Sequence, residues 1–497
     1  MDNWQKALNF SPYFFTFDHP KAQRRGMKGK FQEDSEGKEW VDRFEAMLNK
    51  QSPVYLDLDA WEYVIFHYVQ SEQPQKARQA CEMAMETFPY SAELLLDYAH
   101  VLANCGENAS AMEAISRAEP FFPNDTDLIV LKCTLLNYEG RQAETLTYIR
   151  TCLESDLEQK ERIFHILGST LFQLGKIEDA LIWFRKALKT DPGFTECLEE
   201  LTICLHGEDR LEEVVPDYRN ALDKNPFDAD LWLSFANLLN TIEEFEEALD
   251  AIDYCLALDE SRHMAVFHRG NTLMNLERYQ DAANEYENAI RLYDKQAEYY
   301  VGLGAAMEAL DKPDQAIHWF RKSVKINPEQ DDAYFGLGSC LLRMEKYAES
   351  LHFFNKAIQF DGENPDYWIS KAIAEYGLGN VVSAEEAFAK VYELDPENVV
   401  LWLDWSNLYF EQGHSERAIS MMDEAIALMP EEALLYYRSA AYHFAGGQFK
   451  EALLYLENGI LLDYDSHAVL YDFFDDVKTQ KTLYRIVQDI RNKGNQE

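Results

Sequence analysis

The chain contains few of the residues that interrupt helices. Glycine accounts for 22 of its 497 residues and proline for 15, and both shares lie below the roughly 7% and 5% that are usual in proteins. Apolar residues nevertheless make up 47% of the chain. A large core can therefore form, which excludes a mainly disordered chain. The scarcity of helix breakers favours a predominantly helical fold.

Cysteines and long apolar stretches are also scarce. The eight cysteines include no Cys-x-x-Cys pair and no spacing typical of a disulfide framework, which favours a reducing, cytoplasmic location. No run of about 18 apolar residues occurs, so we predict no membrane span. Residues 1–4 carry no basic side chain, and we therefore expect no secretory signal peptide.

Positive charge is in short supply. The chain has 46 Lys and Arg residues against 88 Asp and Glu residues, a formal net charge of −42. Acids and bases balance within 1–57 and within 467–497, so the whole excess of acid lies in 58–466. Such a surface repels phosphate groups, and we expect no binding of nucleic acid or of anionic membranes. Peptides or protein partners of basic character are favoured instead.

Motifs that carry catalysis or bind cofactors are absent as well. The sequence contains neither a His-Glu-x-x-His zinc motif nor a phosphate-binding loop. Gly302-Leu303-Gly304 and Gly336-Leu337-Gly338 lack the third glycine and the preceding strand of a dinucleotide site, and we interpret them as helix-packing glycines. Acidic pairs such as Asp331-Asp332 are interpreted as solvated carboxylates in first helical turns. We therefore predict no enzyme, no catalytic residue, no metal site and no cofactor.

A period of 34 residues runs through most of the chain. Nine units follow one another without insertion from 161 to 466, and three more occupy 58–159, with Lys160 between the two blocks. Each unit has the apolar spacing of two helices. In the unit that starts at 161, Gly175 marks the turn between the helices and Pro192 follows the second one.

Several positions of the unit, numbered 1 to 34, recur through the array. Position 4 is aromatic in eight units, position 20 is alanine in nine and position 32 is proline in seven. Small residues at positions 8, 20 and 27 allow helices to approach closely, and bulky residues at positions 4, 7, 11 and 24 fill the remaining space. Because no unit buries its apolar face alone, neighbouring units must stack.

This pattern closely resembles the tetratricopeptide repeat family over 409 of the 497 residues. The resemblance implies an all-α fold, an α-solenoid in which helix-turn-helix repeats wind into a right-handed superhelix and their first helices line a concave groove. We divide the chain into an N-terminal extension with a capping helix (1–57), repeats 1–3 (58–159), repeats 4–12 (161–466) and C-terminal capping helices (467–497).

The two flanks and one repeat depart from the pattern. Residues 33–50 predict a capping helix with Trp40 and Phe44 facing the first repeat, and the apolar spacing of 467–497 predicts helices that cover the last one. Pro216 falls inside the predicted second helix of repeat 5, where we expect it to kink the helix.

The resemblance implies that positions 2, 5, 6, 9, 12 and 13 of each first helix face the groove. Amide side chains there can bond both the N–H and the C=O of an extended peptide, and aromatic side chains such as Tyr437 can anchor a ligand. In the alternative interpretation the amides are only polar surface and the aromatic rings pack between repeats. The candidate peptide-binding residues are Asn237, Asn240, Phe267, His268, Asn271, Asn275, Phe335, Arg343, Asn407 and Arg438.

These observations predict a non-catalytic scaffold or adaptor that binds peptide segments or partner proteins in its groove. The alternative is a self-regulated regulator or assembly chaperone. In that case residues 1–31, with six basic and two acidic side chains, block the groove. The sequence leaves the partner and the oligomeric state open.

Overall fold

The computed structural model describes residues 35–49, 55–71, 73–155, 157–208, 210–474 and 476–494. Helices are the only regular secondary structure within these ranges, and two short 3-10 turns accompany them at Leu211–Val214 and Asp465–His467. The α-helices are, in chain order, α1 Ser35–Leu48, α2 Leu58–Gln70, α3 Pro74–Thr87, α4 Ala92–Asn104, α5 Asn108–Ala118, α6 Thr126–Tyr138, α7 Gln142–Cys152, α8 Lys160–Gln173, α9 Ile177–Thr190, α10 Thr195–His206, α11 Val215–Lys224, α12 Ala229–Thr241, α13 Phe245–Leu258, α14 His263–Asn275, α15 Tyr279–Leu292, α16 Ala297–Ala309, α17 Pro313–Ile326, α18 Asp331–Arg343, α19 Tyr347–Phe360, α20 Pro365–Gly377, α21 Val381–Leu394, α22 Val399–Glu411, α23 Ser415–Leu428, α24 Ala433–Ala445, α25 Phe449–Leu462, α26 Ala468–Asp472 and α27 Val477–Gly494.

Helices α2 to α25 form twelve consecutive pairs, one for each 34-residue unit. The chain divides into two compact units, unit 1 (Met1–Leu238) and unit 2 (Leu239–Glu497). In unit 2, from α15 onward, the second helix of each pair also packs against the first helix of the next, so each apolar face is buried by its neighbour. The predicted all-α solenoid of paired helices is confirmed.

The turn between paired helices has the same backbone conformation throughout the described residues. Position 15 of the repeat has a positive φ in all ten units in which it is described, and six of these residues are glycines, including Gly175. The other four are acidic residues, Glu243, Glu277, Asp311 and Glu345, with φ between 57° and 63°. Because a side chain in this left-handed region costs about 1–2 kcal/mol, these four turns are strained.

Replacing one of these acidic residues by glycine is therefore expected to stabilise the protein. We expect Glu345→Gly to raise the free energy of unfolding by about 0.5–1 kcal/mol, because the released strain exceeds the entropy that glycine adds to the unfolded chain. The matched control is Glu349→Gly in the first turn of α19, which should lower it by a similar amount. Urea unfolding measures both, and equal signs would contradict the prediction.

Aromatic rings at position 24 are clamped between glycines of two successive first helices. The ring of Phe320, on α17, is only 2% exposed. A Cβ atom added at Gly304 on α16 would lie 2.6 Å from this ring, and one added at Gly336 on α18 would lie 2.3 Å from it. Tyr286 is held in the same way one repeat earlier. The two Gly-x-Gly sequences are thus helix-packing glycines, as predicted.

Position 4 links each repeat to the loop before it. The indole N–H of Trp402 donates to the carbonyl oxygen of Pro396 at 2.8 Å, and the hydroxyl of Tyr436 donates to that of Pro430 at 2.9 Å. Because the carbonyl oxygens of Asp294 and Gly362 accept the same bond at position 32, the aromatic donor at position 4 makes this link without requiring proline.

The second helix of repeat 5 is not kinked, and that prediction was wrong. A 3-10 turn at Leu211–Val214 is followed by α11, and Pro216 lies in the first turn of this helix. Proline is tolerated there because the first turn has no intrahelical partner for its missing N–H. The helix is therefore divided before the proline rather than bent at it.

Of the residues predicted to face the repeats at the two ends, Trp40 is half-buried, whereas Phe44 and Leu470 are fully buried. Phe44 on α1 is inaccessible to solvent, and its ring centroid lies 5.9 Å from that of Trp61 and 5.5 Å from that of Tyr68. At the other end Leu470 is also fully buried, against residues of the last repeat. The helices that flank the repeats at both ends of the array thus continue the apolar contacts made between repeats.

Candidate functional site

Unit 2 presents a continuous surface made by six first helices, α14, α16, α18, α20, α22 and α24. We call the residues at positions 2, 5, 6, 9, 12 and 13 of these helices the first-helix face. Each of the first five of these helices contacts the first helix of the next repeat, so the face is continuous within unit 2. It exposes apolar side chains, with Met264 42%, Ile373 36% and Val400 51% exposed.

The candidate aromatic residues bridge successive repeats. Phe267 and Phe335 are half-buried, and their ring centroids lie 4.8 Å from that of Tyr299 and 4.9 Å from that of Tyr367, respectively, on the next first helix. Tyr437, expected to line the groove, is fully buried, and this expectation was wrong. Its hydroxyl donates to a backbone carbonyl of the loop after α25 at 2.6 Å, which holds the ring inside the repeat.

Two candidate amides on the face take part in local hydrogen bonds. The hydroxyl of Tyr286 donates to Oδ1 of Asn271 at 2.7 Å. Asn407 donates to the carboxylate of Glu411 at 2.9 Å. Asn275 is exposed at the end of α14. Asn271 therefore keeps its NH2 group, and Asn407 its carbonyl oxygen, for other partners.

Three further candidates occupy different surroundings. Asn237 and Asn240 lie on α12, where Asn237 is exposed and belongs to unit 1, whereas Asn240 is half-buried and belongs to unit 2. His268 is half-buried on α14, and burial lowers its pKa. The imidazole of His268 is therefore neutral at pH 7 and offers hydrogen bonds rather than charge.

Both cations of the first-helix face contact groups of the chain itself. The guanidinium of Arg343 donates to the carboxylate of Asp311 at 2.8 Å and to the carbonyl oxygen of Glu308 at 3.2 Å. That of Arg438 lies over two aromatic rings of unit 2, 5.4 and 6.0 Å from their centroids. Each also lies near one carboxylate of the face, because burial raises the pKa of Glu308 and of Asp404 while the charge of Arg343 lowers the former and that of Arg438 lowers the latter.

Carboxylates are the part of this face that the sequence prediction missed. Glu298, Asp332 and Asp366 occupy position 2 in three consecutive repeats. The hydroxyl of Tyr367 lies 3.0 Å from Oδ1 of Asp332 and 3.1 Å from Oδ2 of Asp331, so this pair is bound to the next helix and not only solvated. The acid repeated at position 2 is the feature of the sequence that could have predicted carboxylates on this face. The six carboxylates of the face are Glu298, Glu308, Asp332, Asp366, Asp404 and Glu411.

Desolvation raises the pKa of three of these carboxyl groups. Burial is the main cause for Glu308, Asp332 and Asp404. For Asp332 the hydrogen bond from Tyr367 lowers the pKa, while the charges of nearby acids, Asp331 first, raise it. A nearby cation favours the charged form of these carboxyl groups, because its attraction offsets the cost of burial and the repulsion between neighbouring acids. The face is therefore suited to a positively charged ligand.

Other kinds of site find little support in the described part of the chain. No group of three or more His, Cys, Asp and Glu side chains there could hold a metal ion, and no helix there has the length and apolarity needed to cross a bilayer. The eight cysteines are free. Burial raises the pKa of Cys204 to about 11 and that of Cys340 to about 12, so both are unreactive thiols at pH 7.

Comparisons with known proteins identify the repeat. Sequence models of the tetratricopeptide repeat match the chain in several places. The matched residues are 267–331, 308–365 and 403–463 for one model, 68–129 for a second and 161–194 for a third. A search of curated proteins finds no match.

Solved structures of repeat proteins resemble parts of the chain. YrrB, described as a TPR protein with an unusual peptide-binding site, is 27% identical over 37% of this chain and 95% of its own, with a TM-score of 0.30. The APC/C hetero-tetramer Cut9-Hcn1 is 14% identical over 88% and 92%, with a TM-score of 0.39. A tetratricopeptide repeat protein from Parabacteroides merdae is 16% identical over 49% and 96%, with a TM-score of 0.42. With twelve helix pairs of 34 residues and three matching repeat models, the chain belongs to the tetratricopeptide repeat family.

Proposed function

We propose that this protein is a non-catalytic scaffold that binds a basic, extended segment of a partner protein along the first-helix face of unit 2. Membership of the tetratricopeptide repeat family supports a role in protein interaction generally. One observation carries the finer proposal. Glu298, Asp332 and Asp366 occupy position 2 of three consecutive repeats, and exposed Met264 and Val400 occupy the same position on either side.

The charge of the face supports a basic ligand. Six carboxylates stand against two guanidinium groups, and both guanidinium groups already contact the chain itself. The ammonium or guanidinium group of a partner would meet a cluster of carboxylates, of which Glu298, Glu308 and Asp404 are half-buried, and charge pairs at half-buried groups are screened less than in open solvent. Apolar side chains of the same partner segment would contact Met264 and Val400.

The spacing of the carboxylates predicts the spacing of the ligand's charges. Axes of packed helices lie about 8–10 Å apart, and an extended polyproline II segment advances about 3.1 Å per residue with three residues per turn, so its side chains three apart lie on the same side about 9 Å from one another. Basic residues three apart in an extended segment therefore match acids of consecutive repeats. The favoured ligand has lysine or arginine at i, i+3 and i+6.

Fluorescence anisotropy with a labelled peptide tests this function. The probe is Lys-Ser-Leu-Lys-Ser-Leu-Lys, and a peptide of equal composition with three adjacent lysines is its control. Neutralising the three position-2 carboxylates to Gln or Asn in the full chain is expected to weaken binding of the probe at least 10-fold. The matched variant removes three exposed carboxylates from second helices, Asp314→Asn, Glu349→Gln and Glu416→Gln, and should weaken it about 2-fold. Equal losses in both variants would refute the proposal.

The pH dependence of the same binding has a defined sign. Because the pKa of Asp332 is raised, this group keeps its proton to a higher pH than an exposed aspartate. Its attraction for a cation is therefore absent at low pH and is gained as the pH rises through its pKa. We expect affinity for the lysine probe to increase as the pH rises through the pKa of Asp332 toward neutrality, and an affinity independent of pH would contradict a role for Asp332.

The alternative function, a self-regulated regulator or assembly chaperone, depends on residues 1–31. These residues lie outside the described ranges. Their basic character and the acidic excess of 58–466 support it by charge complementarity alone, and it stays a hypothesis.

A further inference from the structure

The C-terminal segment of the chain places an aromatic side chain on the end of the first-helix face. Phe473 follows the short helix α26, and its ring centroid lies 5.3 Å from that of Phe410 and 5.5 Å from that of Tyr442. Both contacts are edge-on, at interplanar angles of 63° and 73°. Phe410 and Tyr442 themselves stack at 4.5 Å and 15°. Two successive first helices, α22 and α24, thus form one aromatic platform, and Phe473 lies on it.

A cation completes the surroundings of this ring. The guanidinium carbon of Arg438 lies 5.4 Å from the centroid of Phe473, within the range of cation–π attraction. The same guanidinium lies 6.0 Å from the centroid of Tyr442. We call Phe410, Arg438 and Tyr442 the aromatic pocket. Phe410 and Arg438 occupy groove positions 12 and 6 of the repeat, whereas Tyr442 at position 10 is fully buried, so the pocket lies where the ligand-facing surface meets the core.

Leu470, which is fully buried, anchors the segment upstream of the pocket, whereas the turn that carries Phe473 is held by contacts of its own. Helix α26 has only five residues, too few to be stable without tertiary contacts. The turn after it is closed by a hydrogen bond from the backbone N–H of Phe474 to the carbonyl oxygen of Tyr471 at 3.0 Å. The side chain of Gln480 donates to the carbonyl oxygens of Phe474 and Tyr471 at 2.6 and 3.2 Å. Phe473 is half-buried, so its release requires the loss of its ring contacts with Phe410, Tyr442 and Phe474, while Leu470 can stay buried.

We infer that the aromatic pocket is a second binding site, which takes a phenylalanine of an acidic partner segment, and that Phe473 is its built-in competitor. The chain's own sequence around the ring is Tyr-Asp-Phe-Phe-Asp-Asp (471–476), an aromatic pair flanked by acids. Arg438 offers such a segment both cation–π contact and charge attraction. This inference goes beyond the proposed function, because it concerns the other end of the face and a ligand of opposite charge.

The internal position of Phe473 determines how the site responds to ligands. A tethered group competes at an effective concentration in the millimolar range. A partner segment with the same contacts therefore binds the intact chain only weakly, and removal of the phenylalanine ring exposes the site. Partners with stronger contacts displace the segment.

Peptide binding to the full chain tests the inference. The probe is the fluorescein-labelled peptide Val-Leu-Tyr-Asp-Phe-Phe-Asp-Asp. We expect Phe473→Ala to bind it at least 10-fold more tightly than the unaltered chain does. Adding Phe410→Ala to that variant should abolish the gain. The matched control Phe474→Ala leaves the Phe473 ring in place and should show no gain, and a probe with alanine for both phenylalanines should bind to no variant.

Three outcomes would overturn the inference. The first is a Phe473→Ala variant that keeps its circular dichroism spectrum and binds the probe no more tightly than the unaltered chain. If that variant loses its fold, Gln480→Ala provides the second test, because it weakens the turn and leaves the pocket intact, and no gain there also refutes the inference. The third is dimerisation of the unaltered chain by exchange of this segment, detected by light scattering.

Phe473→Ala should leave binding of the lysine probe unchanged, so the two proposals fail independently.

Discussion

Gly336→Ala is expected to lower the free energy of unfolding by about 1–3 kcal/mol, although alanine favours a helix over glycine by about 1 kcal/mol. The added methyl group would lie 2.3 Å from the ring of Phe320. That ring is 2% exposed and also lies against Gly304, where a Cβ would be 2.6 Å away. A ring clamped between two helices cannot move away from one without approaching the other, so the helices themselves must separate.

Urea unfolding followed by circular dichroism measures this effect. The midpoint should fall while the slope of the transition stays unchanged, since the native and unfolded surfaces remain similar. The control is a double-mutant cycle with Phe320→Leu, a smaller side chain that leaves room for the methyl group. We expect the double variant to be more stable than the sum of the single effects predicts, by about 1 kcal/mol. Additive effects would show that the ring and the glycine are not in contact.

The regular part of the fold could be predicted because each packing position is repeated twelve times. Small residues at position 8 and large ones at position 24 define the helix faces, and Gly304 facing Phe320 follows from that pattern. The errors lie where one residue departs from the repeat. Pro216 divides its helix because the chain before it forms a 3-10 turn. Tyr437 turns inward because a loop carbonyl accepts its hydroxyl.

The site was less predictable because its contacts join residues of different repeats. Asp332 was interpreted as a solvated carboxylate, and only the structure shows that the hydroxyl of Tyr367, 35 positions later, lies 3.0 Å away. Arg438 stays a predicted ligand contact, and only the structure shows that it lies over Phe473. The apolar spacing after 467 indicates a continuing helix, whereas α26 ends at Asp472. That early end is what allows Phe473 to reach Phe410.

Phe44→Ala is expected to have the largest effect, a loss of about 3–5 kcal/mol in the stability of the N-terminal end. Phe44 is inaccessible to solvent, and it is the largest side chain that α1 buries against the first repeat. Without it, α1 loses its main apolar contact, and Trp61 and Tyr68 are left beside a cavity. Because repeats are stabilised by their neighbours, we expect amide hydrogen exchange to accelerate in α1 and α2 while α14 to α24 keep their protection.

Glu45, the residue next to Phe44, supplies a matched control whose effect on stability depends on pH. The carboxylate of Glu45 accepts hydrogen bonds from Tyr68 at 2.7 Å and from Lys76 at 2.6 Å, and these bonds, that of Lys76 first, lower its pKa. A lowered pKa means that this stabilisation is present above the unfolded pKa and is lost as the pH falls through the folded value. Since the pair is partly exposed, Glu45→Gln should cost less than about 1 kcal/mol at pH 7 and a smaller amount at pH 2. The cost of Phe44→Ala, which removes apolar contacts alone, should be the same at both values, and a shared pH dependence would contradict this assignment of contacts at the cap.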